Sequence, residues 1–437
     1  MATALTIAGV DSGGGAGIAA DIKTFAALGV HGTCVITSVT AQNTKGVLDS
    51  FDIPVEFIKE QFNAVVSDIR IDCAKTGMLS SPAIVRAVAE LVKEHRFPLV
   101  IDPVMAAEAG GELMRDETVD VLCRELIPLC TVITPNVSEA ERLSNLMIRD
   151  MKDAKRAAKK IHELGAGAVI VTGGHLKGTD VLYDGDFTYI VGELIKGGTH
   201  GSGCTHSAAL ASEIAKGTPL VEAAHRAKKF VERAINAGMK IGEGVAPVNQ
   251  LGSLLTEAER YGVQRNVEEA VALIETHRES FPLIPEVGCN IAMGISRASS
   301  VSDVAAVSGR IVRLKGAPHA VGCVAFGASG HMARMVLAAM KSDSKARAAM
   351  NIRYSEEVLA ACRELGLRIA SFSRKEEPEG ASSMEWGMDE VIKSAGRVPD
   401  VIYDTGDFGK EAMIRLLGRD AVEVAERALE ISGAMMK

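Results

Sequence analysis

Five short apolar runs limit the fold more than any other feature of the chain: "ALTIAGV" (4–10), "GTCVITSV" (32–39), "PLVIDPVM" (98–105), "CTVITPN" (130–136) and "GAVIVTGG" (167–174). A strand with one wet face alternates apolar and polar residues. Runs that stay apolar through both faces belong to strands covered on both sides, as in a parallel sheet between layers of helices. The intervening stretches, such as "GIAADIKTFAALG" and "SPAIVRAVAELVKEH", carry a helical pattern. "DVLYDGDFTYIVG" (180–192) differs, since two short runs about DGD predict a hairpin. The alternation implies an α/β chain that opens with a doubly wound, mostly parallel sheet.

A length of 437 residues suits two or three domains. The strand–helix alternation reaches about residue 250, and "EGVAPVNQLGSLLTEAERYGVQRNVEEA" (243–270) then passes through Gly and Pro into a charged helical stretch. The expected boundary lies near residues 256–265, giving domains at 1–260 and 266–437. A second set of runs follows: "NIAMGIS" (290–296), "GRIVRL" (309–314), "AVGCVAFG" (320–327), "NIRYS" (351–355), "RIASFS" (368–373) and "DVIYDTG" (400–406). Helical stretches lie between several of them, so a second, smaller α/β domain is expected. "SRKEEPEGASSMEWG" (373–387) reads as an exposed loop, and no internal repeat is present.

The chain is 47% hydrophobic but only 4% aromatic, the composition of an enzyme with an Ala/Val/Ile/Leu core. A net charge of −8 argues against general nucleic-acid binding, which needs basic surface to displace counterions. It leaves room for locally positive sites for small anions. None of the eight cysteines forms a CxxC pair or a zinc-like spacing, and all except Cys204 read as small buried hydrophobes. The start has neither a basic segment nor a long apolar run, and no stretch nears the roughly 18 apolar residues of a membrane helix. The expectation is a reduced, cytoplasmic enzyme without a membrane partner.

"GGTHGSGCTHSAALASEIAKG" (197–217) sets a thiol at the mouth of a helix after a loop with almost no side chains. The first amides of a helix lack intrahelical partners, and the dipole adds partial positive charge there. Gly201 and Gly203 let amides face a ligand, and phosphate is the natural guest. In that field the thiol of Cys204 should ionise below its free value of about 8.5 and could serve as a base. The alternative is a tight turn with an inert cysteine. "AGVDSGGGAGIAADIKTFAALG" (8–29) is a glycine loop between strand and helix without a Walker G-K-[ST]. "SVTAQNTKGV" (38–47) presents the amide of Gln42, suited to a heterocycle's polar edge. "TPNVSEAERL" (134–143) puts Asn136 and Glu139 at a helix start, where an acid can hold Mg²⁺ through water or the two can form a capping pair.

In this order, "TIAGVDSGGGAGIAADIKTF", "AQNT", "KTGML", "IDPVM", "TPNVSEA", "GGH" and "HGSGCTHSAAL" resemble the hydroxymethylpyrimidine/phosphomethylpyrimidine kinases of thiamine biosynthesis, in the ribokinase superfamily, over roughly residues 3–256. The resemblance implies a ribokinase-like fold and two successive phosphorylations by Mg-ATP. It places Gly9, Asp21, Gln42 and Met78 at the pyrimidine. Asn136 and Glu139 match the Mg/ATP-phosphate motif, with Asp102 nearby. Gly201, Ser202, Gly203 and Cys204 match the anion hole, the thiol standing where most ribokinase relatives carry a catalytic Asp. Many members carry Lys before "GGH"; here Thr172 stands there. Pyridoxal kinase is a close competitor, and a homodimer is implied by the resemblance alone.

In the second half, "AVGCVAFGASGHMARMVLAAM" (320–340) reads as strand, small-residue loop and helix, with His331 at the helix start. "DVIYDTGDFGKEAMIRLLG" (400–418) reads as the same design repeated, with Gly406, Gly409 and Lys410 in its loop. Arg310 in "SGRIVRL" and Arg353 in "NIRYS" add charge at strand ends, so a site for two phosphate-bearing groups is expected. The alternative is two ordinary turns that need glycine. Over about residues 266–437 the chain resembles the ThiN-type thiamine-phosphate synthases, which join hydroxymethylpyrimidine diphosphate to thiazole phosphate and release pyrophosphate. The resemblance implies essential roles for Arg310 and His331, and phosphate-binding roles for Asn351, Arg353, Gly406, Gly409 and Lys410. A similar domain attached to DNA-binding regulators only senses ligand, so a kinase with a C-terminal thiamine-phosphate sensor is the competing reading.

Overall fold

In the computed structural model, which describes residues 1–106, 113–174, 176–374, 383–407 and 410–436, the chain divides into two compact units, Met1–Leu254 and Leu255–Lys437. The division comes just ahead of the expected stretch 256–265, within the first turn of a helix that runs without a break over Gly252–Thr276.

The strands of the first unit are β1 (Thr3–Asp11), β2 (His31–Asn43), β3 (Gly46–Asp52), β4 (Cys73–Thr76), β5 (Leu99–Ile101), β6 (Val132–Ile133), β7 (Val169–Val171), β8 (Asp180–Tyr183) and β9 (Phe187–Ile190). They form one sheet in the order β3-β2-β1-β4-β5-β6-β7-β8-β9. The pairings from β2 through β7 are parallel. β3 joins antiparallel at one edge, and the expected hairpin, β8 and β9, closes the other. Five parallel runs were legible, but two strands were not. β3, "GVLDSFD", is largely exposed and has no apolar run. β4, "CAKT", is short and carries a lysine.

The apolar runs are buried on both faces, as parallel strands require. Successive side chains part to opposite layers: Leu99, Ile101, Val169 and Val171 enter one core, while Val100 and Ile170 enter the other. The second layer is closed by Ala208–Ala211 on the helix Ser202–Ala215 and by Ala223, Ala224 and Ala227 on the helix Leu220–Asn236. Alanine lets these helices approach closely, and each fully buried Val or Ile beneath them contributes about 1.5–3 kcal/mol. The strands end earlier than their apolar runs. After β5 comes Pro103 and after β6 comes Pro135, and neither can donate to a ladder. The chain leaving β1, β4, β5, β6 and β7 therefore emerges at one edge of the sheet, where doubly wound folds place their ligands.

The second unit contains β10 (Ile291–Gly294), β11 (Val304–Val307), β12 (Ile311–Leu314), β13 (Ala317–Ala320), β14 (Val324–Phe326), β15 (Ala348–Arg353), β16 (Ile369–Ser371), β17 (Val401–Asp404) and β18 (Met413–Gly418). Seven form a sheet in the order β14-β11-β10-β15-β18-β17-β16. It is antiparallel except between β16 and β17. β12 and β13 make a separate hairpin.

Three expectations are corrected here. Residues 400–418 do not repeat the strand–loop–helix design: β17 turns back into β18, so no helix N-terminus lies behind Lys410. "MIRLLG" is a strand because Ile414, Leu416 and Leu417 are all buried between two cores. The run 320–327 spans the end of β13, a turn and β14. Of the loop expected at 373–387, residues 375–382 lie outside the described residues, and 383–387 instead begin a helix, Ser383–Ala395. Among the described residues no helix is long and apolar enough to cross a membrane.

Candidate active sites

At the sheet edge of the first unit, two glycine loops lie against each other. Gly201 caps the helix Ser202–Ala215 with φ +82°, and a Cβ on it would stand 1.9 Å from the Gly15 carbonyl oxygen. Only glycine permits both that backbone and that approach. The loop after β1 is wound around Asp11, whose carboxylate accepts from the amides of Gly13, Gly15 and Ala16 at 2.7, 3.0 and 2.9 Å. His200 Nε2 lies 2.9 Å from the same carboxylate. The amides of the 13–16 loop are thus occupied, which leaves the helix start as the candidate for an anion. Ser202 N–H is bonded to Thr199 O at 2.9 Å. The amides of Gly203 and Cys204 have no such partner among the described residues. A Cβ on Gly203 would meet nothing within 4 Å, so space for a ligand opens there.

Cys204 stands below those amides as expected, but its thiol is not activated. Burial pushes it up to about 12, against the pull of the Lys75 ammonium. The helix field is outweighed by loss of water. Cys204 lies beside Asp102, which accepts from Ser207 Oγ at 2.9 Å. Lys75, which the sequence reading overlooked, lies at the centre of this cluster. Its Nζ is 3.0 and 2.9 Å from the two oxygens of Asp21 and 3.8 Å from Asp102. Burial works against its charge, but the carboxylate of Asp21, and then that of Asp102, hold it protonated. A lysine inside the otherwise apolar β4 was the available signal.

Of the residues matched to the pyrimidine, Gly9 and Met78 are in contact: a Cβ on Gly9 would fall 2.4 Å from Met78 Cε. Gln42 Nε2 lies 3.5 Å from His200 Nε2. Asp21 is a correction. It has no exposed surface and is consumed by Lys75 and by Thr6 Oγ1 at 2.6 Å, so it backs the site without lining it. Asn136 and Glu139 do form a capping box, through Glu139 N–H to Asn136 Oδ1 at 3.0 Å and Asn136 N–H to Glu139 Oε2 at 2.8 Å. The capping pair also has an electrostatic partner. Burial, and then the charge of Asp102, push Glu139 up to about 8. Thr172 is bridged to Asn136, with its N–H on Pro135 O at 2.9 Å.

The second unit holds a cavity of about 930 Å³. Arg310, His331, Asn351 and Lys410 line it as expected, together with Arg334, Arg374 and Arg415, which the sequence reading missed. Ser329 caps the helix Gly330–Ser342 and sets His331 at its start. The ring is exposed to the cavity. Desolvation by the walls, followed by the charges of Arg415, Arg334, Arg374 and Arg310, lowers it to about 4. Asp404 orients two of the guanidiniums, taking Arg374 at 2.7 and 3.1 Å and Arg415 at 2.6 Å. Burial alone would raise Asp404, and these two arginines outweigh it.

Asn351 is held by Asn290 N–H at 2.8 Å and donates to Gly288 O at 3.3 Å. Arg353 ends β15 and does not line the cavity. Gly406 does not line the cavity either. It shapes the turn, with φ +77° and a Cβ that would stand 2.7 Å from Lys410 O. Gly409 lies outside the described residues. Among the other thiols, Cys323 is exposed and Cys34 and Cys123 are half-buried, against the expectation of burial, while Cys73, Cys130, Cys289 and Cys362 are buried.

Fold and sites together define a ribokinase-like kinase unit followed by a unit with an arginine-lined cavity. Family profiles agree: phosphomethylpyrimidine kinase matches residues 11–249, and thiamine-phosphate synthase ThiN matches residues 266–430. The chain is 36% identical over 430 residues to the bifunctional thiamine biosynthesis protein ThiDN of Methanocaldococcus jannaschii, covering 97% of this chain and 96% of that one. It is 45% identical over 256 residues to the hydroxymethylpyrimidine/phosphomethylpyrimidine kinase of Rhizobium meliloti, covering 57% of this chain and 96% of that one. Among solved structures, Bacillus subtilis pyridoxal kinase in its ADP complex superposes with TM-score 0.55 at 40% identity, over 58% of this chain and 99% of that one. The chain belongs to the bifunctional thiamine-biosynthesis family that joins a phosphomethylpyrimidine kinase to a ThiN thiamine-phosphate synthase.

Proposed function

We propose that residues 1–260 phosphorylate 4-amino-5-hydroxymethyl-2-methylpyrimidine and its monophosphate from ATP, and that residues 266–437 couple the diphosphate to thiazole phosphate, yielding thiamine monophosphate and pyrophosphate. The observation that carries this is the pairing of Cys204 beside Asp102 at a helix start in the first unit with a cavity in the second that His331 lines together with Arg310, Arg334, Arg374, Lys410 and Arg415.

In the first unit, Gly203 and Cys204 amides receive the transferring phosphoryl group, with the charge of Lys75 behind them. The hydroxymethyl oxygen attacks phosphorus and the bond to ADP breaks. Its proton leaves late, as in a loose transition state. A thiol held near 12 is a poor early base but a sufficient late one: the sulfur takes the substrate proton as its own passes to Asp102. Gly9, Gln42 and Met78 seat the ring, and Asp21 keeps Lys75 in place. Asn136, Glu139 and Asp102 would hold Mg²⁺, and through it the nucleotide's phosphates. The donor set fits Mg²⁺, since Glu139 and Asp102 are two buried carboxylates whose charges oppose each other. No larger metal-ligating group gathers among the described residues, and Mg²⁺ uses one or two carboxylates plus phosphates. When bound, it neutralises charge on the phosphates.

In the second unit, the methylene C–O bond of the pyrimidine diphosphate breaks, the thiazole nitrogen attacks that carbon, and pyrophosphate leaves with both bonding electrons. Arg310, Arg334, Arg374 and Lys410 receive the developing charge. His331 is neutral when the cavity holds no anion and can accept a proton once diphosphate arrives. A cytoplasmic homodimer completes the reading. Leu48, Phe51 and Phe57 expose an apolar face about β3, which supports a second copy there.

The test is incubation of the purified chain with hydroxymethylpyrimidine, Mg-ATP and thiazole phosphate, followed by mass spectrometry. Thiamine monophosphate that requires every component is expected. Accumulation of pyrimidine diphosphate alone reassigns the second unit to sensing, and preferential turnover of pyridoxal in competition reassigns the first.

A further inference from the structure

A buried polar group under the loop that follows β7 has no part in the chemistry above. Asp180, the first residue of β8, is 1% exposed. Its Oδ1 accepts from Gly173 N–H and from Lys228 Nζ, each at 2.7 Å. Among the described residues its Oδ2 has no hydrogen-bond partner, and it lies 3.8 Å from His206 Nε2. His206 is 5% exposed, one turn into the helix Ser202–Ala215, and neither of its ring nitrogens has a hydrogen-bond partner among the described residues. Burial lowers the imidazole, against the pull of Asp180, so the ring is neutral.

These contacts belong to three separate elements. Gly173 follows Thr172, which is bridged to Asn136. His206 rides on the helix whose first turn forms the anion site. Lys228 lies on the helix Leu220–Asn236. The loop has no slack at this point, since a Cβ on Gly173 would stand 1.7 Å from Thr179 O.

We propose that Asp180 is a positioning residue for phosphoryl transfer: through Gly173 N–H, Lys228 and His206 it sets the loop beside Asn136 against the helix that carries Cys204. Asp180 touches no substrate. Buried ion pairs are poor sources of stability, whereas a satisfied buried network holds geometry. The network is open between His206 and Asp180. With the proton on Nε2, closing that gap to about 3 Å would let the His206 N–H donate to the unpartnered carboxylate oxygen. That closure draws the helix toward β8 and the Gly173 loop, the movement that would tighten both walls on a triphosphate.

The inference rests on the kinase reading of the first unit. It is tested on the full chain by steady-state kinetics with Mg-ATP and hydroxymethylpyrimidine varied independently. Asp180→Ala is expected to raise the KM for ATP on the order of tenfold or more, with the KM for the pyrimidine within about twofold. Asp180→Asn keeps an acceptor for Gly173 N–H and should recover most of that loss. An unchanged ATP KM in Asp180→Ala, a parallel rise in both KM values, or no recovery by Asn overturns the proposal. Should Asp180→Ala fail to fold by circular dichroism, His206→Gln, which leaves the ion pair intact, carries the test. Lower kcat at unchanged melting temperature supports the coupling, and wild-type kinetics overturns it. If the wild-type chain does not phosphorylate the pyrimidine, the kinase reading falls instead.

Discussion

At the scale of single residues, position and ionisation part company. Cys204 sits where a helix start should make a thiolate, yet burial keeps the proton on. Iodoacetamide at pH 8, followed by peptide mapping, should therefore label exposed Cys323 well before Cys204; faster labelling of Cys204 would refute the protonated thiol. Cys204→Ala is expected to slow phosphoryl transfer about 10²–10⁴-fold while leaving pyrimidine binding intact, as read by single-turnover kinetics and calorimetry. His331 gives a signed pH effect. An unfolded histidine takes a proton near 6.5, whereas His331 takes it at about 4. Between those values the unfolded chain binds a proton that the folded protein refuses, so stability falls as pH drops through that window. His331→Asn should flatten the fall in urea titrations at pH 7 and 5, by less than about 1 kcal/mol because the ring is solvent-screened. Inorganic pyrophosphate in the cavity should raise the His331 titration midpoint, followed by the ring proton shifts in NMR; no rise would separate His331 from the anion site.

At the scale of elements, the helix Ser202–Ala215 shows how one glycine serves the fold and another the site. Gly201→Ala meets both a positive φ and the Gly15 carbonyl, so it should destabilise the first unit by at least about 1–3 kcal/mol in chemical denaturation. Gly203→Ala meets open space in a helical position, so it should fold as well as wild type or better by up to about 1 kcal/mol. Its methyl group would nonetheless project into the space proposed for the phosphate and should raise the KM for ATP. If the two variants behave alike in stability and kinetics, this division of labour is wrong. The same scale explains which strands were legible. Parallel strands buried on both faces announce themselves as unbroken apolar runs. β3 is exposed, β4 is interrupted by Lys75, and β18 contains the buried Arg415, so each breaks the pattern that marks a strand. Arg415 sits in "MIRLLG" only because Asp404, from the neighbouring β17, neutralises it. That partner is eleven residues away in sequence and adjacent only across the sheet.

At the scale of the whole molecule, two units with their own cores should carry separable chemistry. Arg310→Ala is expected to lower coupling about 10²–10³-fold and leave formation of pyrimidine diphosphate unchanged. Cys204→Ala should do the reverse when pyrimidine diphosphate is supplied. Effects of the two substitutions should add in the double variant, since each site is built from residues of its own unit. Product assays by mass spectrometry with each intermediate supplied check all three outcomes, and a loss of both activities in either single variant would contradict separability.

The amino-acid order by itself determined the α/β class, the two-part organisation and the segments that form the sites, because buried strands, glycine turns and helix starts are local patterns that the chain must display in sequence. Only the tertiary structure decided which of those residues face a ligand and which are consumed beneath it. Asp21 is withdrawn onto Lys75, Arg353 misses the cavity, the 400–418 segment folds back as a strand, and Arg334, Arg374 and Arg415 join Arg310 and His331. Charge, burial and reach depend on neighbours brought together from distant parts of the chain, and those neighbours are set by sheet order and register, which no local spacing encodes.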